Sequence, residues 1–129
     1  MIEIINLTPH AIALYTPDDC TEVVQGEYKS LVLKEGAEPK FLYPSAGVAR
    51  AAAAKTAVDH LKLGDLVVPV NGTTYGDPVG LPEPVEGRYY IVSVKTAQAA
   101  KDRKDLLIAD STVRDSDGRI CGCTAFGRV

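Results

Sequence analysis

His10 is the residue whose type and position most suggest chemistry in this sequence. It ends the segment Asn6-Leu7-Thr8-Pro9-His10. Asparagine can bond to its own neighbouring backbone and proline fixes its own φ angle, so this segment is predicted to be a loop. Loops carry binding and catalytic residues, and histidine titrates near neutral pH. Asn6, Thr8 and His10 are therefore candidate ligand-binding residues, with His10 as the candidate base. The alternative is that they only hold the loop together.

A second set of candidates lies in the last quarter of the chain, where basic and acidic residues interleave. The planar guanidinium of arginine can bind a phosphate or a carboxylate through two parallel hydrogen bonds. Arg103, Arg114 and Arg119 are predicted to bind an anion in this way, and Asp105 is assigned to the same site. Arginine–aspartate pairs also pin loops, so a structural role stays open for them.

The three cysteines, Cys20, Cys121 and Cys123, do not have the spacing of a metal site. Zinc sites usually contain C-x₂₋₄-C pairs with a second pair or with histidines. The chain also has no P-loop, no G-x-G-x-x-G fingerprint and no H-E-x-x-H motif. The sequence therefore predicts neither a metal nor another cofactor. Cys121 and Cys123 are expected to be small buried residues on one strand face, and a nucleophilic cysteine acting with His10 is the weaker alternative.

Length and charge limit the class of protein. The chain of 129 residues fits a single domain (1–129), and its net charge of −3 makes nucleic acid an unlikely partner. No apolar stretch approaches the roughly 18 residues of a membrane helix, and the first residues do not form a charged leader. An odd number of cysteines fits a reducing compartment. We therefore expect a cytoplasmic protein without a membrane segment.

Short runs of β-branched and aromatic residues predict a mainly β (α+β) fold. The strands are expected to be short and mostly antiparallel, with one or two short helices. Strands are predicted at 2–5, 12–14, 21–25, 30–33, 65–70, 73–75, 88–94, 106–108 and 119–126, and a helix at 96–103. The first two strands are expected to form a hairpin or a tight strand–loop–strand unit. Asn71-Gly72 predicts a second hairpin, because this dipeptide suits a type I′ turn.

Residues 48–58 fit two structures, because they contain four consecutive alanines at 51–54. Alanine has the highest helix propensity, Ser45 could cap a helix and Gly64 could end it. Alanine indicates little about β periodicity, however, and a strand is compatible with the same residues.

Several motifs follow one another along most of the chain. They are Asn6-Leu7-Thr8-Pro9-His10, Gly80-Leu81-Pro82-Glu83-Pro84, Tyr90-Ile91-Val92-Ser93, Arg103-Lys104-Asp105-Leu106, Val113-Arg114-Asp115 and Gly118-Arg119. In these motifs the chain resembles a family of uncharacterised small bacterial and phage proteins. The resemblance does not cover residues 16–39. The resemblance favours a strand at 48–58, because similar sequences are more β-like there. It implies no activity, only the context of a phage or mobile-element accessory protein, a kind that often counters host defence or binds a nucleotide signal.

Three functions fit these residues. The leading hypothesis is a binding module for a small anionic, nucleotide-derived ligand, held by the loop residues and the arginines. Such sites often form between subunits, which makes a homodimer reasonable. The first alternative is a hydrolase or transferase acting on a nucleotide or sugar phosphate. In it His10 is the general base, Asp105 or Asp110 orients His10, and Arg114 stabilises the developing charge. The second is an inhibitor that binds a host protein, for which the loop 80–84 is the exposed feature.

Overall fold

The computed structural model describes residues 2–129, except for the side chain of Tyr75. Its elements are β1 (Glu3–Asn6), β2 (Ile12–Leu14), a 3₁₀ turn (Pro17–Asp19), β3 (Cys20–Gln25), β4 (Tyr28–Leu33), β5 (Phe41–Tyr43), β6 (Arg50–Leu63), β7 (Leu66–Val79), β8 (Arg88–Ile91), α1 (Val94–Ala99), β9 (Leu106–Arg114) and β10 (Ile120–Gly127). The predicted mainly β fold with short helical segments is confirmed. The helix begins after Ser93, whose Oγ accepts a hydrogen bond from the backbone N–H of Thr96. It ends earlier than predicted because Ala100 leaves the helical region, at φ −136°.

Most of the strands belong to one curled sheet. The strands that neighbour one another along it are, in order, β1, β8, β9, β10, β2 and β5. Two further strands lie off this path: β4 pairs with the far end of β9, and β3 pairs with β4. A parallel bridge between Asn6 and Ser45 connects the end of β1 to the segment after β5. The two ends of the six-strand path therefore meet at this point. We call this sheet together with α1 the body.

The strand pairings are mixed, so the expectation of mostly antiparallel strands is too simple. β1–β8, β8–β9, β4–β9 and β2–β10 are parallel pairs. The predicted hairpin between residues 2–5 and 12–14 is wrong, because β1 pairs with β8 while β2 pairs with β5 and β10. The partner of Glu3 is Arg88, which lies far along the chain, so local sequence carries no sign of the pairing.

Two groups of buried side chains form the core of the body. One lies between β1, β8, β9 and α1, and the other between β2, β3, β9 and β10. The first contains Leu7, Ala49, Tyr90, Val92, Ala97 and Leu106, and the second contains Ala13, Tyr15, Cys20 and Val113. Ala49 is the last residue before β6, so the core ends where that strand begins.

β6 and β7 form a separate two-stranded ribbon, and among the described residues they pair only with each other. The strand expected from residue 48 onward is confirmed from Arg50. A two-residue turn joins Leu63 to Leu66, with Gly64 at φ +62°, a region that favours glycine. The turn predicted at Asn71-Gly72 is wrong, because both residues lie inside β7. With 14 residues in each strand, the ribbon extends for about 45 Å. We call it the arm (residues 50–79).

Candidate functional sites

The side chain of Asn6 is buried and uses its polar atoms inside the protein. Its Nδ2 donates hydrogen bonds to the carbonyl oxygens of His10, at 2.7 Å, and Tyr43, at 2.9 Å. Its Oδ1 accepts from the backbone N–H of Thr8 at 2.9 Å and from the Thr8 hydroxyl at 2.6 Å. The side chain is 1% exposed. Asn6 therefore ties β1 and the loop after it to β5, at the point where the two ends of the sheet meet.

The rest of this loop is also bonded internally. The Ser45 hydroxyl donates to the carbonyl of Thr8 at 2.6 Å, and the Thr8 hydroxyl lies 3.0 Å from the carbonyl of His10. The imidazole of His10 is exposed, and it is the His10 carbonyl that the loop uses. Asn6 and Thr8 thus act as structural residues in this geometry, whereas the His10 side chain is free to meet solvent.

Arg103 and Asp105 form an ion pair at the corner between α1 and β9. Arg103 Nε and Nη2 donate to the two carboxylate oxygens of Asp105 at 2.9 and 2.7 Å. These hydrogen bonds lower the pKa of the Asp105 carboxyl and raise the pKa of Arg103. A two-point pair of this kind occupies the Nε–Nη2 edge of the guanidinium, which is an edge that could otherwise bind a carboxylate or a phosphate. Arg103 is therefore already engaged by an anion of the protein itself.

Arg114 and Arg119 lie at the two ends of the turn between β9 and β10. Arg114 Nη1 donates to the carbonyl of Gly118 at 2.8 Å. Asp115 Oδ1 accepts from the backbone N–H groups of Asp117 and Arg119, both at 3.0 Å. The side chains of both arginines are exposed, and one edge of the Arg114 guanidinium remains open to a ligand.

The seven predicted site residues therefore occupy three separate places: the loop after β1, the α1–β9 corner and the β9–β10 turn. Four of the cavities at the surface contain one of the predicted residues each. Arg114 lines one of about 590 Å³, His10 another of about 330 Å³, Asp105 a third of about 240 Å³ and Thr8 a fourth of about 150 Å³. None of these four contains residues from two of the groups. The structure does not bring the predicted residues together as one site.

The cavity that contains Arg114 lies where β4 and β9 diverge. Its lining is polar, and its residues are Tyr28, Lys29, Ser30, Leu31, Asp110, Ser111, Thr112 and Arg114. Ser111 has a φ of +50°, which is uncommon for a residue other than glycine. This conformation occurs where β9 changes partner, because Leu106 and Leu107 pair with β8 whereas the end of the strand pairs with β4. The result is a shallow basic cleft with several hydroxyl groups.

The cysteines are placed for packing. Cys20 and Cys123 are buried and Cys121 is half-buried. Burial raises the pKa of all three thiols, so little thiolate forms at neutral pH. This opposes the nucleophilic alternative for a cysteine acting with His10.

The feature of the molecule that the sequence motifs did not indicate is the apolar face of the arm. Opposite residues of two antiparallel strands place their side chains on the same face. In the outer half of the arm, the pairs Leu63–Leu66, Leu61–Val68 and Asp59–Val70 share one face, so this face also carries the carboxylate of Asp59. Val58 joins this face, because a Cβ built on Gly72 would lie 2.9 Å from its Cγ1. We call the six leucine and valine residues among them the apolar face.

The apolar face is open to solvent. Leu61, Leu63, Leu66 and Val58 are between 53% and 68% exposed, and Val70 is 37% exposed. The opposite face of the same half carries Lys62, His60, Val67 and Pro69. The large apolar side chains are thus concentrated on one face, although Val67 is also exposed on the other, and the arm covers no core of its own. The alternation of leucine with lysine at 61–63 and the valines at 68 and 70 was a signal in the sequence that could have indicated this face.

Searches against models of protein families, curated proteins and solved structures found no match. Within residues 2–129, no helix is long and apolar enough to cross a membrane. In the same part of the chain, no group of three or more histidine, cysteine, aspartate or glutamate side chains is arranged to hold a metal ion.

Proposed function

We propose that this protein acts by binding another protein through the apolar face of its arm. The observation that carries the proposal is the concentration of six leucine and valine side chains on one face of the ribbon, five of them exposed and Val68 half-buried, with Asp59, His60 and Lys62 around them. Exposed apolar residues scattered over a surface are ordinary, whereas a contiguous set bordered by polar residues is typical of an interaction site.

The energetics of a two-stranded ribbon support this assignment. Two strands alone are marginally stable in water, and they are normally stabilised by a third strand or by packing of their apolar face. Burying one leucine or valine side chain is worth about 1.5–3 kcal/mol. A partner that covered the six residues would therefore stabilise the arm as well as bind it.

The loop 80–84, which the sequence indicated as the exposed feature, is less suited to this role. Leu81 packs against the first core group. A Cβ built on Gly80 would lie 2.9 Å from the carbonyl oxygen of Val48. The loop therefore belongs to the body, and the arm extends beyond it. An arm that occupies a host protein would also suit the accessory, anti-defence context expected from the resemblance.

The test compares two adjacent positions on opposite faces of the arm. Leu66 and Val67 are 63% and 57% exposed, so Leu66→Cys and Val67→Cys should alkylate at similar rates in the diluted pure protein. In cells that contain the partner, alkylation of Leu66→Cys should be slowed at least about tenfold and that of Val67→Cys should be unchanged. Equal rates for both variants in cells would refute the proposal. The wild-type chain, with its three natural cysteines, gives the background.

A second function, the binding of a small anion, is supported by the cleft between β4 and β9. Lys29 and Arg114 contribute two positive charges to it, and Ser30, Ser111 and Thr112 contribute hydroxyl groups. Asp110 is the one acidic residue of the lining. Strained backbone often accompanies functional sites, and Ser111 is such a residue. The cleft is compatible with the expected class of ligand, a nucleotide or a sugar phosphate. Of the predicted ligand-binding residues, however, only Arg114 lines it.

A thermal-shift titration tests this second function with pyrophosphate, nucleotides and sugar phosphates as probes. A ligand at about one hundred times its dissociation constant stabilises the folded state by about 2.7 kcal/mol, which is a shift of several degrees. Arg114→Ala should abolish the shift and Arg119→Ala should leave it intact, because Arg119 is not among the residues that line the cleft. No shift with any probe, or an equal loss in both variants, would contradict anion binding. The hydrolase or transferase alternative gains no support, since His10 lies at a different cavity from Arg114 and from both candidate orienting residues, Asp105 and Asp110.

A further inference from the structure

We infer that the apolar face of the arm binds the same face of a second copy of this chain, with the two arms antiparallel and related by a two-fold axis. This inference rests on the proposed function, because it names the protein that the arm binds. It concerns the faces of the two ribbons and not their edges.

The two halves of the arm are complementary in size. On the same side of the ribbon as the apolar face, the inner half carries mostly small residues. A Cβ on Gly76 would lie 3.6 Å from Ala52 Cβ, which puts these two positions on one side. Ala54 and Thr74 are opposite each other on this side, as are Thr56 and Gly72. An antiparallel second copy would set the large side chains of each outer half over the small residues of the other inner half.

The two-fold arrangement satisfies both halves at once. In an interface of this kind the same surface is used by both copies, so every large-on-small contact occurs twice. A parallel arrangement would instead oppose leucine to leucine at the outer end and leave a gap between the two alanine- and glycine-rich inner halves. The size gradient along the arm therefore favours the antiparallel arrangement.

The charges of the arm are compatible with this pairing. Within residues 50–79, Arg50, Lys55 and Lys62 balance Asp59, Asp65 and Asp77, so the arm is neutral although the whole chain carries −3. Asp59 itself lies on the pairing face, opposite Val70, where the facing inner half offers the hydroxyl groups of Thr56 and Thr74. In the antiparallel arrangement the inner end of one arm, with Arg50 and Asp77, lies near the outer end of the other, with Lys62 and Asp65. Each end therefore offers both charges to its counterpart, and the acidic bodies lie at opposite ends of the paired arms.

The edges of the arm are less suited than its face to receive another strand. Pro69 and Pro78 lie in β7, and proline has no N–H to donate to a neighbouring strand. In β6, the N–H of His60 already donates to Asp59 Oδ1 at 2.7 Å. Proline and charged residues at an edge are features that oppose strand addition. A partner is therefore expected to pack on the face.

The size of the face indicates a reversible dimer. A ribbon about 45 Å long and about 10 Å wide offers about 450 Å² from each copy, or about 900 Å² for the pair. This is at the lower end of specific interfaces, where complexes are weak or transient. The monomer and the dimer should therefore exchange within an accessible range of protein concentration.

The first experiment is sedimentation equilibrium of the full chain over a dilution series. The wild type should change from monomer to dimer as concentration rises. Leu66→Ser should raise the dimer dissociation constant at least about tenfold, because the substitution removes an apolar contact twice in each dimer. Val67→Ser, on the opposite face, should change it by less than about twofold. A wild type that stays monomeric at all concentrations, or equal effects of the two variants, would overturn the inference.

The second experiment tests the antiparallel arrangement by oxidative cross-linking. Leu63→Cys is at the outer end of the arm and Ala52→Cys is at the inner end. A mixture of the two variants should form disulfide dimers faster than Leu63→Cys alone, and the opposite order would contradict the antiparallel arrangement. If the chain is monomeric and yet Leu66→Cys is protected in cells, the partner is a different protein. In that case the second-copy inference fails while the proposed function stands.

Discussion

The body and the arm of this protein use apolar residues in opposite ways. In the body, leucines and valines such as Leu106, at 3% exposed, and Val113, at 0%, are enclosed by neighbouring strands. In the arm, Leu61 and Leu63 are more than half exposed although they lie in equally regular strands. Since strand formation is the same in both regions, the difference lies in what covers the strands.

This difference assigns separate roles to the two regions. The body buries its own core, so its residues explain how the chain folds. Most of the arm is exposed, so its apolar residues contribute little to the core, and the proposed function assigns them to a partner. The residues that looked functional in the sequence, in particular Asn6, Thr8, Arg103 and Asp105, hold the body together.

The largest difference between the two regions is expected for a pair of leucines. Leu106→Ala should lower the free energy of unfolding by about 3 kcal/mol, because it removes buried atoms and leaves a cavity. Leu61→Ala should lower it by less than about 0.5 kcal/mol when the protein is dilute enough to be monomeric. Urea unfolding followed by circular dichroism measures both. Similar losses would mean that the arm packs against the body in solution.

The next pair concerns side-chain hydrogen bonds. Asn6→Ala should cost about 2 kcal/mol, because it removes the buried amide that donates to the carbonyls of His10 and Tyr43 and accepts from Thr8. In the arm, Thr74→Ala removes one long, exposed bond of 3.5 Å to the carbonyl of Ala54 and should cost less than about 0.5 kcal/mol. His10→Ala should also be close to neutral, since the loop uses only the His10 carbonyl. A large loss with His10→Ala in the same unfolding assay would show that the imidazole has a structural partner.

Two glycines provide a third comparison. A Cβ on Gly122 in the body would lie 2.6 Å from the carbonyl oxygen of Ala13 and 2.6 Å from the ring of Tyr15. Gly122→Ala should therefore cost about 1.5 kcal/mol. Gly72→Ala in the arm meets only the Val58 side chain, which is 68% exposed and can rotate away. It should cost less than about 0.5 kcal/mol, and thermal unfolding of the two variants in dilute solution should separate them by several degrees.

The smallest effect is expected for a charge and depends on pH. Arg103 holds the pKa of Asp105 below its usual range, so the folded form binds fewer protons than the unfolded form. The resulting stability is present above the unfolded pKa of about 3.9 and is lost as pH falls through the lower folded value. Asp105→Asn should cost about 1 kcal/mol at pH 7, because the pair is partly solvated. Its difference from wild type should shrink below about pH 4.

Asp59→Asn in the arm is the control for this comparison. The amide keeps an Oδ1 that can accept the hydrogen bond from the His60 N–H. Its free energy of unfolding should therefore stay within about 0.5 kcal/mol of wild type across the same pH range. Urea unfolding at a series of pH values measures both variants. A constant gap between Asp105→Asn and wild type from pH 7 to pH 3 would contradict the role given to the Arg103–Asp105 pair.

The class of fold and most strand positions could be predicted from local sequence. Runs such as 21–25 and 30–33 have the residue types of strands, and both are strands in the structure. The turn of the arm was misplaced at Asn71-Gly72, because turn preference is weaker than the register set by pairing Leu63 with Leu66 and Leu61 with Val68. The partners of β1 and β2 could not be predicted, because pairing of distant strands depends on the whole chain.

The candidate site was predicted less well than the fold. Residue type alone cannot distinguish an asparagine that binds a ligand from one that joins two loops, because both need the same donor and acceptor groups. Arg103 and Asp105 are close in sequence, and their pairing with each other was the structural alternative left open. Arg114 is the predicted residue that the structure places in a polar cleft with other cationic and hydroxyl groups.

By itself, the sequence determined the mainly β class, the absence of the common cofactor motifs and the strand-forming segments, because these depend on neighbouring residues. Only the tertiary structure decided which strands meet, that Asn6 joins β1 to β5, and that one face of the arm stays open. Those outcomes depend on contacts between residues far apart in the chain. A leucine has the same local preferences in β6 as in β9, and its surroundings alone decide whether it stabilises the fold or is left for a partner.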